Sequence, residues 1–259
     1  VKRALGFYKK SDYLMVFHDD DLMHPHLLEF EVKILEENPQ LSFVAAECVV
    51  FDDSKTTPIA KWNGIEGHYK TYTEVSHLVR VLLQEVPLHF GSVLYRSRAL
   101  ENVSMDLARF SIVADRPLLL DLARRGGCAL IREPLVFYRV HSKQDSRTGP
   151  VTVDNLIELA LEYRSCFPKN WKDEDRCLFL TYFTRYLLYK YNHLQRSKRG
   201  SWLSYVRTCM SAGILNWRFV DKVGLYAICE TWRLGWLIDL QFQLRILARR
   251  IARILESPE

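Results

Sequence analysis

No two cysteines in this chain stand at metal-ligand or disulfide spacing. The six, Cys48, Cys128, Cys166, Cys177, Cys209 and Cys229, are scattered without a CxxC pair. That argues against a thiolate zinc site and against a disulfide framework, and points to free thiols in a reducing compartment. No HExxH or equivalent helical spacing is present, so His18, His24 and His26 do not read as a metal hydrolase. No apolar run reaches the length of a spanning helix, and no segment reads as a signal peptide. Charge of one sign is also scarce. Thirty-six basic and 31 acidic residues leave +5, too mild an excess to argue for nucleic acid as a partner. Repeats and low-complexity tracts are absent.

What is present is apolar. Of 259 residues, 48% are hydrophobic, enough for a sizeable core or for one domain with an appendage. Residues 13–18 are short and β-favouring, consistent with a buried strand. Pro25 suits the first turn of a helix to about Glu37, which Asn38-Pro39 stops. Leu41–Phe51 reads as a second buried strand, and Asp52–Tyr72 as a loop with Pro58, Gly64 and Gly67. Thr73 can cap a helix through Gln84. His89–Tyr95 is extended. Asp115 opens an apolar helix that ends at Gly126-Gly127, and Ala129–Val140 carries one or two strands.

This alternation is that of an α/β layer fold. Beyond Gly149 the pattern turns helical, so a boundary is placed between an α/β region, 1–149, and a helical region, 150–259. The first residues already read as the tail of a helix entering a strand, so the chain is expected to begin partway through a domain.

The chemistry concentrates in Asp19-Asp20-Asp21, at the end of the first strand. Adjacent carboxylates repel unless a positive group sits among them, and Mg²⁺ or Mn²⁺ with phosphate oxygens would supply it. Strand alternation puts Asp19 and Asp21 on one side and Asp20 on the other. The other reading is a solvated acidic turn at a helix start. Asp115 is either a helix cap or a general base. Arg139 and His141 share a strand face and suit phosphate or metal, or are an ordinary basic strand end. In Trp232–Leu255, arginines recur on one face and leucines and isoleucines on another. That is a helix for an anionic membrane surface, or one packed with its basic face in water.

Together these segments resemble the family 2 glycosyltransferases of the GT-A fold. Asp12–Glu29 resembles the family's strand, DxD, proline and helix block. Gly91–Leu100 is similar to the strand and turn beside the acceptor site. Ser111–Asp115 with Leu118–Ala123 resembles the block holding the catalytic base, and Glu133–His141 the segment closing the domain. The resemblance covers residues 1–146.

It implies a GT-A, Rossmann-like nucleotide-sugar-binding sheet lacking its first strands, then an α-helical region. It implies an inverting, metal-dependent transfer from a nucleotide-diphosphate sugar to a saccharide or lipid-linked acceptor. In that scheme Asp21, with Asp19, binds Mn²⁺ or Mg²⁺, Asp19 or Asp20 contacts the donor, and Asp115 is the base. Arg139 and His141 sit by the diphosphate. Ala114 stands where the family often has an acid, and Arg116 is expected to lower the basicity of Asp115. A sugar-nucleotidyltransferase and a non-catalytic scaffold at a membrane complex are the alternatives. The expected location is cytoplasmic, with peripheral contact at the inner face of the membrane.

Overall fold

Two apolar strands dominate the interior. Phe43–Phe51 and Cys128–Arg139 run parallel, and their first four residues are buried in each case. Burial on both faces explains why neither stretch alternates apolar and polar residues. The computed structural model describes residues 11–51, 69–84, 88–141, 151–193 and Ser211. Among them are six strands and six helices. The strands are β1 (Tyr13–Met15), β2 (Leu22–Met23), β3 (Phe43–Phe51), β4 (Tyr69–Tyr72), β5 (Val93–Arg96) and β6 (Cys128–Arg139). The helices are α1 (Leu27–Glu37), α2 (Val75–Gln84), α3 (Leu107–Phe110), α4 (Asp115–Gly126), α5 (Val153–Ser165) and α6 (Asp173–His193).

The strands form one mixed sheet in the order β1-β5-β3-β6-β2, with β4 also on β6. β5 lies antiparallel between β1 and β3. Hence β1, β3 and β6 all point the same way, and their carboxyl ends share one edge. β6 divides its far side between two partners. Cys128–Ile131 pairs with β4, and Val136–Phe137 pairs with β2. Between the halves, its register against β3 slips at Glu47, which faces Pro134. Proline has no N–H for a ladder, so a bulge is where a strand tolerates it. Tyr69–Tyr72 falls in the stretch expected to be loop. It forms a strand because Tyr72 packs inward while Lys70 and Thr71 stay exposed along the edge.

α1 covers one face of the sheet. Leu27, Ile34 and Leu35 pack on Val44, Leu94, Ile131 and their neighbours. Glu31 lies on the same helical stripe, fully buried, with neither carboxylate oxygen hydrogen-bonded. Burial drives its proton affinity well above the ordinary carboxyl range. An unsatisfied buried polar group costs about 1–3 kcal/mol, enough to cancel the burial of roughly one leucine on that face.

α4 ends where its glycines predict. Gly127 has φ +75°, and a Cβ there would meet the carbonyl oxygen of Tyr72 at 2.6 Å.

The chain divides into two compact units, Val1–Phe179 and Leu180–Glu259. In the first, Arg109 reaches Glu158 at 2.6 Å and Arg124 reaches Glu162 at 2.9 Å, joining α5 to α3 and α4. Arg80 makes a two-pronged contact with Asp175, at 2.6 and 2.8 Å. In the second unit, residues 180–193 are helical. No helix among the described residues is long and apolar enough to cross a membrane. The basic stretch Trp232–Leu255 lies outside them.

Glu31→Met should stabilise the fold by about 1–3 kcal/mol near neutral pH, because it keeps the volume and removes the unsatisfied carboxyl. The sign with pH follows from linkage. Glu31 holds its proton more tightly folded than unfolded, so the wild type loses stability as pH rises past about 4.3, the unfolded value. Thermal melts at pH 4 and pH 8 should therefore show the larger difference between the two proteins at pH 8. Equal differences would mean that Glu31 is not the buried titrating group.

Candidate active site

The shared carboxyl edge of β1, β3 and β6 is where open α/β sheets carry their ligands. β1 ends at Met15, so residues 16–21 leave the strand and turn before β2. That turn replaces strand alternation. Asp19 points to solvent, Asp20 is half-buried, and Asp21 is buried with no exposed side-chain surface. Asp19 and Asp21 therefore do not share a side, because the period-two rule applies only while the backbone is extended.

Asp21 closes the turn. Its Oδ1 accepts the backbone N–H of Arg139, at the end of β6, at 2.9 Å. Its Oδ2 lies 3.4 Å from His18 Nδ1 and 3.5 Å from His89 Nε2, and has no hydrogen-bond partner. Asp20 meets the same end of β6 through its own contacts. His141 Nε2 meets its Oδ2 at 2.8 Å, and Arg139 Nε donates to its backbone oxygen at 2.8 Å. The Arg139 guanidinium also lies over the Phe51 ring, 4.8 Å from its centre. Three of the residues picked from the sequence, Asp20, Arg139 and His141, are thus in direct contact.

Asp115 begins α4, and Ala114 occupies the capping position without a side-chain cap. Burial raises the Asp115 carboxyl above its ordinary range, against the opposing charge of Arg116. The expected effect of Arg116 is present, and burial outweighs it. Asp115 and His18 also feel each other: the carboxylate helps raise His18, and His18 helps hold Asp115 down. The carboxylate at the helix start therefore lies within electrostatic reach of the turn after β1.

The remaining charges follow from contact and burial. His18 is raised chiefly by Asp21. Asp20 is lowered chiefly by its hydrogen bond to His141 and is kept ionised. Burial pushes His89 down to about 4, so it is neutral at ordinary pH.

His89 was not picked out in the sequence. It precedes a short turn, Phe90–Ser92, that leads into β5, and its ring packs on Tyr138 at 4.3 Å between centres. Its only sequence signal is its place two residues before Gly91. A Cβ at Gly91 would meet the His89 ring at 3.2 Å and Asp21 Oδ2 at 3.7 Å. Tyr95, the third residue of β5, is fully buried with an unpartnered hydroxyl and feels the charge of Asp115.

The fold is similar to that of S. aureus TarS. Residues 1–349 of that protein, in complex with UDP-GlcNAc, superpose with a TM-score of 0.51 at 9% identity. The similarity covers 81% of this chain and 60% of that one, so this chain spans about three fifths of its neighbour's length. No family model and no curated protein matches the sequence. The GT-A-type α/β fold expected from the sequence is the one the chain adopts.

The two aspartates should separate experimentally. Asp21→Ala leaves the Arg139 N–H without its acceptor and should cost about 1–3 kcal/mol of stability. His141→Ala removes one half-exposed contact to Asp20 and should cost under about 1 kcal/mol. Denaturant melts should show the larger loss of unfolding free energy, and the lower midpoint, in Asp21→Ala. Matching midpoints would remove Asp21 as the anchor of the turn.

Proposed function

We propose that this chain transfers a sugar from a nucleotide-diphosphate donor to an acceptor hydroxyl, inverting the anomeric carbon. The observation that carries the reading is the convergence at one sheet edge of Asp20, Arg139 and His141, with Asp115 within electrostatic reach. The fold shared with a UDP-GlcNAc complex supports a nucleotide sugar as donor, and UDP-GlcNAc is the first donor to test. The acceptor we assign is a saccharide or a lipid-linked saccharide.

In this reading Asp115 is the base. Burial gives it more proton affinity than a free carboxylate, which suits it to take the acceptor's proton. As the acceptor oxygen bonds to the anomeric carbon, the carbon–oxygen bond to the diphosphate breaks on the opposite face. The proton ends on Asp115, and the electron pair leaves with the diphosphate. Arg139 adds positive charge beside that leaving group. Asp20 and His141 are hydrogen-bonded to each other; with that bond exchanged for coordination they would offer one ionised oxygen and one imidazole nitrogen, donors that fit Mn²⁺ and are acceptable to Mg²⁺. That cofactor, held by Asp20 and His141, would supply further charge for the departing diphosphate. Asp21 is sealed from the donor side, so we assign it to shaping the turn. Peripheral contact with an anionic membrane surface is assigned to Trp232–Leu255.

Asp115→Asn should leave donor binding intact and lower transfer by roughly 10²–10⁴-fold, the usual weight of a general base. In the wild type, transfer should fall with decreasing pH through a point above the ordinary carboxylate range, since the base must be ionised. Donor affinity by calorimetry and turnover by released nucleotide diphosphate measure both effects. Transfer by the asparagine variant within a few fold of wild type would remove Asp115 from the mechanism.

A further inference from the structure

A second set of ligand atoms gathers around Asp21. We propose that His18, Asp21 and His89 bind one divalent transition metal of the Zn²⁺ or Co²⁺ type, through Nδ1, Oδ2 and Nε2 respectively. The site is distinct from the Asp20–His141 edge and independent of the reaction assigned there.

Asp21 Oδ2 is fully buried and has no hydrogen bond. Two imidazole nitrogens stand beside it, at 3.4 and 3.5 Å, beyond the range of a good N–H···O bond. The three donor atoms lie within 4.8 Å of one another. A tetrahedral ion with bonds of about 2.0–2.1 Å sets its ligand atoms about 3.3–3.5 Å apart. Octahedral Mg²⁺ at about 2.1 Å would bring neighbouring ligands to about 3.0 Å. The two separations at Asp21 Oδ2 match the tetrahedral ion, and the two imidazole nitrogens lie within 4.8 Å of each other. Two imidazoles and one carboxylate also suit Zn²⁺ or Co²⁺ better than Mg²⁺.

The surroundings support the assignment. Asp21 Oδ1 is already oriented by the Arg139 N–H, as second-shell hydrogen bonds orient metal-bound carboxylates. The His89 ring is set by Tyr138, and the His18 ring lies edge-on to it, 5.1 Å between centres. His89 is largely buried, while His18 keeps 38% of its side-chain surface exposed. Entry and the fourth ligand position are therefore on the His18 side. A bound ion would join the turn after β1 to the approach to β5, and so hold the backbone that presents Asp20.

Cobalt tests the site directly, because four-coordinate Co²⁺ has visible absorption bands far stronger than those of octahedral Co²⁺. The full chain, stripped with chelator and titrated with Co²⁺, should develop such bands and saturate at one equivalent. Zn²⁺ should bleach them and raise the melting temperature. His18→Asn and His89→Asn should each weaken Co²⁺ binding at least tenfold, whereas Asp20→Asn should bind Co²⁺ as wild type does. Wild-type protein without intense bands overturns the proposal, and that arm needs no folded variant. Bands that survive both histidine substitutions, or vanish with Asp20→Asn, overturn it as well. Donor turnover is not part of this readout, so the transferase reading can fail while the metal site stands, and the reverse.

Discussion

One hydrogen bond orders the rest of the site: the carboxylate of Asp21 accepting the main-chain N–H of Arg139. It joins the turn that follows β1 to the last residue of β6, across a sheet in which β5 and β3 stand between those strands. Asp20, the residue before Asp21, is also directed to the end of β6. Arg139 and His141 lie there and meet it. Asp21 is thus internal framework and Asp20 external chemistry, although the two are neighbours in sequence and identical in type.

The layers of the fold were readable because their apolar patterns are long. β3, α1, α4 and β6 lie within a few residues of the segments that hydrophobicity, proline and glycine marked out. The pairing of Asp20 with His141 was less readable, because it depends on where β1 stops. Three residues of strand, ended at Met15, hand Asp19–Asp21 to a turn, and a turn does not alternate. β4 was missed since four residues of mixed polarity become a strand only when β6 offers its edge.

Two further misses have physical causes. His89 is brought to Asp21 by sheet order, with β5 inserted antiparallel between β1 and β3, and nothing local announces that. Glu31 could have been found, since it is four residues from both Leu27 and Leu35 and must share their face. For Asp115 the neighbouring cation is visible in the sequence and the surrounding burial is not, and burial is the larger effect. Pairwise charge is visible in a string of residues, whereas dielectric surroundings exist only in three dimensions.

Pro134 sits where the pairing of β6 with β3 changes register. The slip it marks separates β6 into a stretch anchored with β4 and a stretch anchored with β2. The first stretch knits scaffold, and the second delivers Arg139 and His141. An unbroken ladder would hold one register along its whole length. The slip at Pro134 gives the two stretches separate registers, so the stretch that carries Arg139 takes its alignment from β2 and the end of β3 rather than from β4.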